Sequence, residues 1–138
     1  MLVADVMTTN PQTIRRDKRM QAVNTIMEFG HFRHVPVVDE NGFLVGILSQ
    51  TDLLAASAST IDPATPRAER NQLLGFVPVE KIMQTDVVTA DPEMDVVEAA
   101  RLMREKRINC LPVLRAGHVV GIVTAFDLLA ALERIGAR

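Results

Sequence analysis

The sequence predicts an α+β protein built from two β-α-β-β-α repeats, packed sheet to sheet about a pseudo-twofold axis. Three observations predict it. First, the chain spells one pattern twice: Val6-Met7 recurs as Ile82-Met83, Thr13 as Thr89, and His34-Val35-Pro36-Val37-Val38 as Cys110-Leu111-Pro112-Val113-Leu114. After a deletion in the second copy, GILSQTDLL from Gly46 recurs as GIVTAFDLL from Gly121. Second, apolar residues in each copy switch between the helical and the strand period. Third, one copy alone is too short to bury both faces of a three-stranded sheet, so sheet must pack on sheet.

The elements follow in order. A helical turn at Asp5–Met7 leads to an extended piece at Gln12–Ile14. Met20, Val23, Ile26 and Met27 then repeat at helical spacing. Val35–Asp39 reads as a strand, Asn41-Gly42 as a hairpin turn and Phe43–Leu48 as the returning strand. A closing helix is expected from Asp52. The second copy repeats this with a turn at Glu80–Met83 and an extended piece at Val87–Ala90. Its helix is introduced by Asp91-Pro92, with Val96, Val97, Ala100 and Met103 as the apolar face. A hairpin turning at Ala116-Gly117 and a closing helix from Asp127 complete it. The expected division is residues 1–56 for repeat 1, 57–76 for a connector and 77–138 for repeat 2. Ser, Thr, Pro and mixed charges make the connector a loop or a partly helical segment.

Composition narrows the function. The 138 residues are 48% hydrophobic with a formal charge of −2, which suits a globular protein without the basic excess that grips nucleic acid. Trp and Tyr are absent, so aromatic platforms for single strands are scarce. No apolar run approaches the roughly 20 residues of a membrane span, and no leader is evident. The single cysteine, Cys110, fits a reducing compartment, with the cytoplasm as the expectation.

The candidate chemistry sits at Ser49-x-x-Asp52 and Thr124-x-x-Asp127. A hydroxyl three residues ahead of an acid is a helix-capping signature. The same carboxylate can also accept hydrogen bonds from a ligand, and the two roles are compatible. His31-x-x-His34 lacks a third ligand at metal spacing, so no metal site is expected. Cys110 reads as a small buried apolar residue, and Arg101–Arg107 as a solvated helix face. Neither a Ser-His-Asp order, nor a phosphate-cradling glycine loop, nor paired acids emerges, so the chain is not expected to be an enzyme.

The ordered set of motifs, D/K-h-M at the start, h-P-V-h inside and G-h-h-S/T-x-x-D-L-L at the close, resembles the CBS domain. Two in tandem resemble a CBS-domain pair, or Bateman module. The resemblance implies a non-catalytic regulatory module that binds AMP, ADP or ATP, or alternatively S-adenosylmethionine, in two clefts, with no cofactor required. Carried onto this chain, one cleft uses Asp127, Thr124 and Ile122, walled by Thr13, Arg33, His34 and Val35. The other uses Asp52, Thr51, Ser49 and Ile47, walled by Thr89, Asn109, Cys110 and Leu111. The acids accept from the ribose hydroxyls, and the helix N-termini offer a seat to phosphate. Arg33 and a protonated His34 are expected to draw phosphate-rich ligands to their cleft, while Phe126 departs from the polar residue kept at Thr51. The resemblance also implies a homodimer through the first and last helices, near Ala131-Leu132, and an effector protein in trans. A structural or protein-interaction module with empty clefts is the other reading.

Overall fold

The structure, a computed structural model, describes residues 1–30, 33–60 and 64–137. Its elements run α1 (Val3–Val6), β1 (Thr8–Thr9), β2 (Ile14–Arg15), α2 (Met20–Gly30), β3 (His34–Val38), β4 (Leu44–Ser49), α3 (Gln50–Thr60) and α4 (Arg67–Gly75). A 3-10 turn (Val79–Lys81), α5 (Val96–Lys106), β5 (Cys110–Arg115), β6 (His118–Thr124) and α6 (Ala125–Gly136) follow. The fold is mixed α+β with two three-stranded sheets, ordered β2-β3-β4 and β1-β6-β5.

These elements form two compact units: residues 12–87, and residues 1–11 with 88–138. The sequence repeats and the compact units are therefore two different divisions of the chain. The opening turn of each copy is built into the unit completed by the other copy's hairpin. Val3, fully buried, belongs to a core with Ala99, Leu111, Val113 and Val123. Val79, also fully buried, belongs to one with Met20, Val23, Val35, Val37 and Leu48.

Within each unit the sheet repeats the same pairing. In one, Ile14 and Arg15 run parallel to Val37 and Val38, while Gln84 bridges antiparallel to Ile47 on the far side of the hairpin. In the other, Ala90 bridges parallel to Val113, and Thr8 pairs antiparallel with Ile122. The extended piece expected at Val87–Ala90 is thus reduced to this single bridge. Both hairpins slip register at the same place: Val37 faces Gly46 but Val38 faces Leu44, and Val113 faces Gly121 but Leu114 faces Val119. Val45 and Val120 are the bulged residues, a feature that alternation alone does not announce.

Proline inside a strand needs a reason. The Pro112 carbonyl accepts from the Ala90 amide at 2.9 Å, so its missing N–H faces that same edge, where the neighbouring stretch is only beginning. The turns are equally specific. Ala116 and Gly117 lie at φ 52° and 82°, the left-handed pair that a two-residue hairpin requires. In the first hairpin the Asp39 carboxylate accepts from the amides of Asn41 and Phe43 at 2.9 and 3.0 Å, and Gly42 takes φ 86°.

Several boundaries differ from expectation. Asp91 makes its own turn, accepting from the Glu93 amide at 2.9 Å, and the cap of α5 is Asp95, which accepts from Val97 at 2.8 Å. In this helix Val96, Ala99 and Met103 are buried while Val97, expected on the apolar face, is 62% exposed. The closing helices begin at Gln50 and Ala125, ahead of the aspartates. In the connector, α3 continues to Thr60 and α4 packs against α2 and α3, with the Arg19 guanidinium donating to the Phe76 carbonyl at 2.6 Å.

Gly46 and Gly121 explain why both copies spell glycine there. A Cβ on Gly46 would meet Met83 Sδ at 2.6 Å and the Gln84 carbonyl oxygen at 2.9 Å. On Gly121 it would meet Met7 Sδ at 2.5 Å and the Thr8 carbonyl oxygen at 3.1 Å. The methionine of each opening turn lies across the bare backbone of the hairpin it docks on.

Candidate functional site

Each unit presents one carboxylate at the head of its closing helix. In α6, Asp127 is the third residue; its Oδ2 accepts from the Thr124 amide at 2.8 Å and from the Thr124 hydroxyl at 3.0 Å. The Asp127 amide donates back to Thr124 Oγ1 at 3.3 Å, which closes a capping box. In α3 the same geometry recurs: Asp52 Oδ2 accepts from the Ser49 amide and hydroxyl, both at 2.9 Å, and the Asp52 amide reaches Ser49 Oγ at 3.2 Å. Both aspartates are half-buried. In each, Oδ2 is committed to the cap and Oδ1 takes no part in it.

The first-turn amides are partly spoken for. Gln50 donates to the Arg33 carbonyl at 3.2 Å and Ala125 to the Asn109 carbonyl at 2.9 Å. With the amides of Asp52 and Asp127 on their hydroxyls, those of Thr51 and Phe126 are the ones that the helix and its caps leave over. Phe126 is 78% exposed, so its ring does not fill the space beside Asp127, and its amide offers what Thr51's does.

The expected residues gather by unit. Thr13, Arg33, His34, Val35, Ile47, Ser49, Thr51 and Asp52 lie in the unit of residues 12–87. Thr89, Asn109, Cys110, Leu111, Ile122, Thr124 and Asp127 lie in the other. Within a unit, His34 stands across from Ser49 and Cys110 across from Thr124, while Val35, Leu111 and Pro36 are buried in the strands. Arg33 and His34 thus share a unit with Asp52. His31 lies outside the described residues, and among the described residues no three His, Cys, Asp or Glu side chains cluster to hold a metal.

Burial decides the charge on two groups. Desolvation pushes the Cys110 thiol up to about 12, with the Asp127 charge adding to the effect, so the thiol stays protonated. Burial likewise holds the His34 imidazole below its ordinary value, against the pull of Asp52 and with the help of Arg33. His34 is therefore neutral at pH 7, contrary to the protonated form expected, and the local positive charge rests on Arg33. A depressed histidine makes the folded state bind fewer protons than the unfolded one. Stability is expected to fall as pH drops through about 6.5 toward the lower folded value. A melting series between pH 7.5 and 5 should show this slope, flattened in His34→Asn; an unchanged slope in the variant assigns the effect elsewhere.

Sequence reasoning missed one residue of this site. Gln84 donates from Nε2 to Asp52 Oδ1 at 3.1 Å. Its signal lay in the repeat, since Met83-Gln84 falls on Met7-Thr8 and Gln84 takes the Thr8 place against the hairpin. A cavity of about 340 Å³ lined by Met1, Asp5, Arg134 and Ile135 contains none of the expected residues.

The CBS domain pattern matches residues 3–59 and 79–134. A CBS domain-containing protein of Dictyostelium discoideum is 34% identical over 136 residues, covering 98% of this chain and 93% of its own. The CBS domain pair of protein MJ0100, solved with 5′-methylthioadenosine and S-adenosyl-L-methionine, superposes with a TM-score of 0.82 at 28% identity, covering 98% of each chain. CBSX2 in complex with AMP superposes with a TM-score of 0.81 at 29% identity, again over 98% of each chain.

Proposed function

We propose that this chain, which belongs to the CBS domain family, is a non-catalytic regulatory module that binds an adenine nucleotide and signals by a change of conformation or assembly. The observation that carries the proposal is the duplicated carboxylate. Asp52 and Asp127 are each locked by one oxygen into a helix cap, which presents the other oxygen in a fixed orientation. A rigid acceptor suits the vicinal hydroxyls of a ribose, and the spare first-turn amides of Thr51 and Phe126 suit a phosphate. The proposed seats are built on the two capped helices, Asp52 with Ser49 and Thr51 in one unit and Asp127 with Thr124 in the other.

AMP, ADP and ATP are the proposed ligands. S-adenosylmethionine is the second reading, because it shares the adenosyl group and a structural relative was solved with it. Regulation is by linkage: a ligand shifts the chain between arrangements by no more than its differential affinity for them. The output is proposed to pass through a homodimer or an effector protein in trans, in the cytoplasm. Leu129, Leu132 and Ile135 of α6 are exposed and offer apolar surface for self-association, whereas Ala131, expected in that contact, is 2% exposed and turned inward. No helix of the described residues is long and apolar enough to cross a membrane.

Thermal-shift titration with AMP, ADP, ATP, NADH and S-adenosylmethionine tests the reading. At a hundredfold excess over Kd the correct ligand adds about 2.7 kcal/mol, or roughly 5–10 °C for a chain of this size. No shift with any of them favours the interaction module with empty clefts.

A further inference from the structure

We infer that Gln84 is a built-in competitor for the ligand at Asp52, and that its absence from the equivalent place makes Asp127 the stronger of the two seats. The inference rests on the adenine-nucleotide reading. An ionised carboxylate offers about four lone-pair sites, two on each oxygen. At both aspartates the cap consumes the two on Oδ2, through one amide and one hydroxyl. A ribose diol that donates both hydroxyls therefore needs both sites on Oδ1.

At Asp127 they are open: among the described residues no hydrogen bond to Oδ1 is present. At Asp52 one is taken by the Gln84 amide at 3.1 Å. The backbone holds the glutamine there, because Gln84 and Ile47 exchange both amide-to-carbonyl bonds at 2.9 Å. Thr8 occupies the same place against Ile122 in the other unit, and no bond joins its short side chain to Asp127. A diol arriving at Asp52 must either make do with one acceptor site or displace the amide. Gln84 is exposed, so its side chain can swing away into water at the loss of one hydrogen bond.

Calorimetric titration with AMP separates the seats. In an Asp127→Ala background, which leaves the Asp52 seat alone, adding Gln84→Ala is expected to tighten AMP by about three- to tenfold. A merely structural glutamine would weaken binding or leave it unchanged, and either result overturns the inference. In an Asp52→Ala background, Thr8→Gln is expected to weaken AMP by a similar factor; no loss there also counts against it. If the wild-type chain takes up no AMP or ADP, the nucleotide reading falls and takes this one with it. Binding to the wild type with no response to Gln84→Ala removes this inference alone.

Discussion

Asp127→Ala is expected to weaken AMP binding by about 10- to 100-fold while lowering the unfolding free energy by only about 1 kcal/mol. The two effects come from different oxygens of one group. Oδ2 closes the cap with Thr124, and losing it releases one amide and one hydroxyl at a half-buried helix end, the ordinary cost of a lost cap. Oδ1 makes no bond among the described residues, so its loss is felt only when a ligand is present. Charge-assisted hydrogen bonds are the stronger kind, and removing both acceptor sites leaves two desolvated hydroxyls in the bound state. Asp127→Asn separates the roles further, since the amide retains an oxygen for the cap but loses the charge that the diol requires. Calorimetry for affinity and urea unfolding for stability read the two independently. An unchanged affinity beside the capping loss would show that the aspartate is a cap and nothing more.

The second large effect is expected in stability. Gly46→Ala should destabilise the fold by about 1–3 kcal/mol, with the denaturant midpoint lowered and the slope unchanged. The methionine sulfur at 2.6 Å can turn aside, but the Gln84 carbonyl oxygen at 2.9 Å is held by its bonds to Ile47 and cannot. Gly121→Ala should cost less, because the nearest backbone atom, the Thr8 carbonyl oxygen, lies at 3.1 Å and most of the clash falls on the flexible Met7. Against a typical stability of about 5–15 kcal/mol, the Gly46 change is a large fraction. Equal tolerance at both positions would mean that the turns slide freely over their hairpins.

Much of this was legible because the chain says it twice. The hairpins, their turns and the two cap carboxylates followed from repeated residues with strong local rules, such as Asn41-Gly42 and Ser49-x-x-Asp52. The errors arose where a local signal had two outlets. Asp91-Pro92 reads as a helix start, yet Asp91 satisfies its own turn and leaves the cap to Asp95; of the expected face Val96 and Met103 are buried, Val97 is exposed, and Ala99 rather than Ala100 completes the core. The bulges at Val45 and Val120 and the bond from Gln84 to Asp52 depend on partners distant in the chain, which no window of neighbouring residues contains. His34 read as a charge by residue type, and burial removed the charge.

The exchange of opening turns has a consequence for the order in which the molecule can be made. Residues 12–87 form an uninterrupted stretch, so that unit has every strand and its buried Val79 as soon as the stretch has left the ribosome. The other unit joins residues 1–11 to residues 88–138. Its edge with Val3 and Thr8 must wait unpaired until residues 12–87 have been made and β6 arrives to receive it. Contacts of such long sequence separation form slowly. Removing residues 1–9 would accordingly damage not the unit that follows them in the sequence but the one completed by residues 88–138, stripping an edge strand from β6 and a valine from its core.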